Sequence, residues 1–161
     1  MFDGVIREQI DPALGRLSRM IAKAGITANS VTLFGFGSGL VAAALIVSQH
    51  FLLGAMFIAI SRLCDGLDGE VAKINGATDL GGLLDIVLDF AFYGIIPVAF
   101  AFTNPQDNAL AAIVLIFSFY VNGASFLAYA IMAEKRGLQT QARGEKSLFF
   151  TMGLAEASAT I

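Results

Sequence analysis

Apolar residues fall into five long blocks separated by short polar breaks. An uncharged block from about Val31 to Ser48 is followed by blocks over about Phe51 to Lys73, Leu80 to Phe102 and Ala109 to Ala133, and a last one runs from Ser147 to Ile161. A helix rises about 1.5 Å per residue, so about 20 apolar residues cross the roughly 30 Å hydrocarbon core of a bilayer. The blocks therefore predict spans at about 31–48, 51–73, 80–102 and 109–133. The segment 147–161 is expected to be an incomplete span, since its helix would rise only about 22 Å. The breaks carry turn chemistry, in Gln49-His50, "INGATD" from Ile74 and "TNPQDN" from Thr103. Before the first span, Ile6, Ile10, Leu14, Leu17 and Ile21 recur at helical spacing, while Arg16, Arg19 and Lys23 share another face. That pattern predicts an interfacial helix over residues 1–24, kinked at Pro12. The expected fold class is thus all-α, a polytopic transmembrane helix bundle with an N-terminal amphipathic interfacial helix, forming one membrane domain over 1–161.

Composition agrees with this pattern: of 161 residues, 57% are hydrophobic and only 14% charged, with a mean hydropathy of +0.74. The positive charges add a direction. All ten Lys and Arg lie in the N-terminal helix, in the Arg62–Lys73 stretch before the second break, or in the segment after the fourth span. Gln49-His50 and residues 103–108 carry none, so the basic segments are expected to face the cytoplasm. The single cysteine, Cys64, excludes an intrachain disulfide, reads as a small buried residue, and belongs to no zinc-like spacing. His50 reads as a solvated loop residue, residues 1–24 are not expected to be a cleavable signal peptide, since they mix acids and bases without a continuous apolar stretch, and no basic, aromatic-interleaved patch suggests nucleic acid. Gly35 and Gly39, in "GFGSG", have the spacing that lets membrane helices approach closely.

The exception to the apolar pattern is "SRLCDGLDGEVAKINGATDLGGLLDIVLDF", Ser61 to Phe90. Asp65 and Asp68 are three residues apart and Asp85 and Asp89 four, so each pair shares one face of its own helix. Counted from the turn between two antiparallel helices, all four reach about the same depth, roughly 8 to 15 Å inside one end. A carboxylate in mid-span costs at least about 2.5 kcal/mol on insertion scales, so four uncompensated ones would cost on the order of 10 kcal/mol. The cluster therefore requires water access together with cations, protons or basic partners. Arg62 stands three residues from Asp65 and balances one acid at most. Hard oxygen ligands without His or Cys suit Mg²⁺, Mn²⁺ or Ca²⁺, and Mg²⁺ commonly bridges carboxylates and phosphate oxygens. Gly66, Gly69, Ala72, Gly81 and Gly82 surround the acids with little side-chain bulk, which serves either helix packing or a ligand between helices.

Written out, the stretch is D65-x-x-D68-G69-x-x-A72-K73, seven residues, then G81-x-x-x-D85-x-x-x-D89. It closely resembles the signature of the CDP-alcohol phosphotransferase family, which includes the synthases for phosphatidylinositol phosphate, phosphatidylglycerophosphate and phosphatidylserine. The family usually has Arg where Lys73 stands, and lysine keeps the charge but loses the bidentate fork. "ITANSVT", from Ile26 to Thr32, resembles the family's segment entering the first span, with Ala28 in place of its common Pro. Members typically have six spans, so the resemblance implies a sixth and part of the fifth beyond this sequence.

The resemblance also implies a site with two Mg²⁺ ions, Mn²⁺ being the alternative. Asp65 and Asp85 would each touch both ions, Asp68 the first and Asp89 the second, with Asp89 also the catalytic proton acceptor. Asn29, Gly69, Lys73 and Thr78 would hold the CDP part of CDP-diacylglycerol, although Thr78 also reads as the N-cap of the third span. An acceptor hydroxyl would displace CMP, and a homodimer in the membrane is expected. Lys135, Arg136, Arg143 and Lys146 lie on the same side as the acids and are candidates for a phosphorylated acceptor alcohol, although basic residues are ordinary in cytoplasmic loops. Glu156 is a further acid in the last segment, either lining the acceptor pocket or facing water. Two other readings use the same residues: an intramembrane cation or proton carrier, and a catalytically inactive relative that binds metal or nucleotide.

Overall fold

The computed structural model describes residues 14–136. Ile6, Ile10, Pro12, Arg143, Lys146, Glu156 and the segment 147–161 lie outside the described residues. Within them every regular element is an α-helix: α1 over residues 14–23, α2 Ala28–Val47, α3 Phe51–Asn75, α4 Asp79–Thr103 and α5 Pro105–Lys135. Helices α2 to α5 lie over the four segments whose hydropathy suggested spans.

Short connectors make the helices turn back on one another. α2 starts at Thr27, whose side-chain oxygen accepts the Ser30 N–H at 3.3 Å. It ends where Gln49 takes a left-handed conformation (φ 62°) and the His50 N–H donates back to the Leu45 carbonyl at 2.8 Å. The break after α3 uses Gly76 at φ 94°, which costs a glycine little. Thr78 then caps α4, its Oγ1 accepting the Gly81 N–H at 3.0 Å. Asn75 Nδ2 donates to the Ile26 carbonyl at 3.3 Å, so this turn is tied to the one before α2. A single residue, Asn104, separates α4 from α5, and Pro105 occupies the start of the new helix where its missing N–H is not needed.

Helix α2 is the spine of the bundle. It packs against both α3 and α4, α5 packs against α4, and α3 and α4 share no extensive contact of their own. Glycine makes the close approaches possible: a Cβ on Gly35 would lie 2.8 Å from Cys64 Cβ on α3, and one on Gly39 would lie 2.6 Å from Phe92 Cδ2 on α4. Buried Val31, Cys64 and Leu67 form one apolar cluster, against which Leu14 and Ile21 of α1 pack. Ala43, Ile46 and Ala99 form another, supported by Ile58, Ile95 and Ile96. Cys64 is thus the buried apolar side chain its setting suggested.

The outward faces are apolar. Leu52, Phe102 and Leu110 are 70% or more exposed, an arrangement that suits lipid rather than water. Among the described residues, α2, α4 and α5 are long and apolar enough to cross a membrane. α3 is as long as α4, at 25 residues, but Arg62, Asp65, Asp68, Glu70 and Lys73 keep it out of that group. The helix that departs from the membrane pattern is the one that carries the chemistry.

Candidate metal centre between α3 and α4

Because α3 and α4 each pack on α2 and not along each other, a cleft remains between them. Thr32, Gly35 and Phe36 of α2 form its floor, Ser61, Arg62, Asp65 and Asp68 one wall, and Asp85, Leu88 and Asp89 the other. One oxygen each from Asp65, Asp85 and Asp89 lies within 4.8 Å of the other two. These half-buried carboxylates come from two helices and meet through the four-residue spacing of Asp85 and Asp89.

Asp68 lines the same cleft but faces α2. It is only 5% exposed, and its Oδ2 accepts a hydrogen bond from Thr32 Oγ1 at 2.6 Å. The Thr32 oxygen also lies 3.1 Å from the Ala28 carbonyl. A hydroxyl has one hydrogen, and the shorter contact to the carboxylate takes it.

The remaining wall residue is a cation. Arg62 Nη1 lies 2.9 Å from Asp89 Oδ1 and 3.6 Å from Asp65 Oδ2, bridging the two helices. Its guanidinium carbon sits 3.9 Å from the centre of the Phe92 ring and 5.5 Å from that of Tyr93, within cation–π range of both. The Arg62 Nε is buried without a hydrogen-bond partner, so the ring faces and carboxylates, not a full set of acceptors, hold the group.

The residues suggested for the nucleotide lie nearer the α3–α4 turn. Asn29 reaches the start of α4, its Oδ1 2.9 Å from where a Gly81 Cβ would stand, beside Thr78 Oγ1. Gly69 has open space where a side chain would be, whereas Gly66 faces Leu14. Lys73 is exposed and paired with Glu70 on its own helix, and is not drawn into the carboxylate cluster. Lys135 and Arg136 are exposed at the end of α5. Inspection of the sequence missed the parts played by Thr32, a polar residue inside an apolar span, and by Arg62 toward Asp89. The first left a signal in its position; the second left none beyond its spacing from Asp65.

The family model for CDP-alcohol phosphatidyltransferase matches residues 25–158. The chain belongs to this family. The match runs from the turn before α2 past the end of α5, so it takes in all three helices that form the cleft. Family members are transferases of phospholipid biosynthesis and are generally metal-dependent. Among relatives, the Inner membrane protein YnjF of Escherichia coli is 39% identical over 161 residues, 100% of this chain and 78% of that protein. An archaetidylinositol phosphate synthase of Methanothermobacter thermautotrophicus is 38% identical over 114 residues, 68% of this chain and 55% of its own. A phosphatidylinositol phosphate synthase of Mycobacteroides abscessus is 33% identical over 85 residues, 52% of this chain and 39% of its own. The carboxylates of this family member are therefore set in a membrane protein, on the helix pair that its apolar packing keeps apart.

Proposed function

We propose that the protein transfers a substituted phosphate group from a CDP-alcohol, with CDP-diacylglycerol as the donor, to an acceptor alcohol, releasing CMP. The observation that carries this reading is the meeting of Asp65, Asp85 and Asp89 within 4.8 Å in a cleft open between two helices. An all-oxygen donor set of this kind fits hard divalent ions. Asp65, Asp68, Asp85 and Asp89 would hold two Mg²⁺, or Mn²⁺ in their place. When bound, such ions polarise the pyrophosphate and stabilise charge on the leaving phosphate.

The chain's own residues supply the rest. Asn29, Gly69, Lys73 and Thr78 bind the CDP part, Gly69 by leaving room and Lys73 by its positive charge near the turn. The acceptor hydroxyl oxygen attacks the phosphorus that bears the lipid alcohol, and its proton passes to Asp89. The bond from that phosphorus to the bridging oxygen breaks, and the electron pair leaves with CMP. Asp89 joins the cluster from α4, and a hydroxyl entering between α3 and α4 would come within its reach. Lys135, Arg136, Arg143 and Lys146 attract a phosphorylated acceptor, and the names of the synthase relatives favour an inositol phosphate. The cleft faces the cytoplasm by the distribution of Lys and Arg, and the enzyme acts as a homodimer.

The test is Mg²⁺-dependent CMP release from CDP-diacylglycerol by the purified protein, with inositol phosphate, glycerol phosphate, serine and inositol as acceptors. Asp89→Asn is expected to abolish transfer and keep CDP-lipid binding, and Asp65→Asn to weaken metal and nucleotide binding together. Equal CMP release by the parent and both variants would sink the mechanism. Metal and CDP binding without release from any acceptor would instead identify an inactive relative.

A further inference from the structure

Four aspartates line one cleft, yet among the described residues a single basic side chain, Arg62, stands with them. It is placed unlike a surface ion-pair partner. Its charged end lies between carboxylates of two different helices, 2.9 Å from Asp89 and 3.6 Å from Asp65. Behind it are the faces of Phe92 and Tyr93, and Phe92 is itself 5% exposed and pressed against Gly39 of α2. Three helices thus hold the guanidinium beside the carboxylate cluster, less exposed than Asp65 or Asp89. Arginine keeps its charge at any working pH.

We propose that Arg62 is a resident counter-cation of the cluster, a positioning residue that joins Asp89 to Asp65 across α3 and α4 and competes with divalent ions for those two carboxylates. The inference rests on the reading that the cluster holds divalent cations. It follows from charge and place. Without Arg62 the four ionised acids would carry a charge of −4, and with it −3, so the guanidinium stabilises the assembled cleft before any ion arrives. The same charge repels an incoming divalent ion. By Coulomb's law two charges of +1 and +2 about 4 Å apart repel by more than the equivalent of a tenfold change in affinity, even at the permittivity of water. Arg62 therefore trades strength of ion binding for a cluster that stays together when empty of ions.

The sign of the effect separates this role from a merely structural one, because damage to the cleft weakens ion binding whereas loss of a competitor tightens it. The protein in detergent is titrated with Mn²⁺, free ion being followed by electron paramagnetic resonance, and melted with and without Mn²⁺. Arg62→Gln is expected to bind Mn²⁺ at least about tenfold more tightly, ~1.4 kcal/mol. It should also melt lower without the ion and gain more from it. Arg62→Lys keeps the charge and should stay within about threefold of the parent, since a cation that still reaches both carboxylates still competes. If Arg62→Gln is not obtained folded, Phe92→Leu takes its place: removing the ring that holds the guanidinium should tighten Mn²⁺ binding in the same direction. Equal or weaker binding by the neutral variant, or by Phe92→Leu in its stead, overturns the role of Arg62 while leaving the cation site intact. Absence of Mn²⁺ binding from parent and variants alike overturns the cation site and this role with it.

Discussion

Thr32→Val tests whether the floor of the cleft matters as much as its walls. The two side chains have nearly the same shape, so the substitution removes a hydroxyl and leaves the packing between α2 and α3 in place. The lost bond is a short one, 2.6 Å, to an aspartate that is 5% exposed. Hydrogen bonds to charged groups contribute about 1.5–3 kcal/mol, and a buried carboxylate that loses its donor bears the desolvation cost as well. Converted to affinity, that range is about 13-fold to 160-fold. It overlaps the roughly 10-fold to 100-fold losses that follow removal of groups that orient metal ligands. The expected outcome is a rise of that size in the Mg²⁺ concentration needed for half-maximal CMP release, with the melting temperature of the metal-free protein falling less. Thr32→Ser, which keeps the hydroxyl, should stay close to the parent. Unchanged Mg²⁺ dependence in Thr32→Val, or an equal loss in Thr32→Ser, would refute the argument that the Thr32 hydroxyl holds Asp68 for its task.

Three further substitutions probe the frame. Gly35→Ala should cost about 1–3 kcal/mol and abolish most activity, because the new methyl would stand 2.8 Å from Cys64 Cβ, which no rotation can move. At Gly123 of α5 an added Cβ would stand 1.9 Å from Phe90 Cε1, but a ring end can swing away, so Gly123→Ala should lose less stability and leave CMP release nearly intact. Melting curves and activity of the two variants side by side decide between these outcomes. Thr78→Ala removes the cap of α4 and should lower stability by about 1 kcal/mol. A loss of CDP-lipid affinity in that variant beyond about tenfold would mean that Thr78 binds nucleotide in addition to capping.

The helices were legible because their signal is coarse: about 20 apolar residues in a row have few other uses. The close approach at Gly35 and Gly39 could be read from spacing, and the distances at Cys64 and Phe92 bear it out. The pairing of acids was legible only in part. Four residues turn a helix by about 400°, so Asp85 and Asp89 are offset by about 40° and meet; three residues leave Asp65 and Asp68 about 60° apart. On a helix wedged against α2, that is enough to send Asp68 to Thr32 and Asp65 toward α4. Spacing along one chain says which face a residue shares, not which neighbouring helix that face meets. For the same reason the contact of Arg62 with Asp65 was readable and its shorter one with Asp89 was not. Lys73 had a partner three residues away in Glu70, a pairing that a motif read for its ligand overlooks.

The cleft and the glycines have one physical origin. Four carboxylates on apolar helices cost on the order of 10 kcal/mol unless balanced, and a closed helix pair would have to meet that cost without water. Here Gly35 and Gly39 let α2 approach α3 and α4 closely enough to carry the apolar contact by itself. With that contact made on α2, α3 and α4 need not close on each other. Asp65 and Asp89 keep side-chain exposures of 35% and 29%, and of the four only Asp68, which has the Thr32 hydroxyl, is buried. Arg62 removes one of the four negative charges, and the net −3 that is left in the cleft is the charge that the proposed divalent ions would balance. Bulk added at the glycines would therefore act on the chemistry twice: by shifting the walls, and by breaking the division of labour that lets the packing contacts and the charged contacts occupy different helix faces.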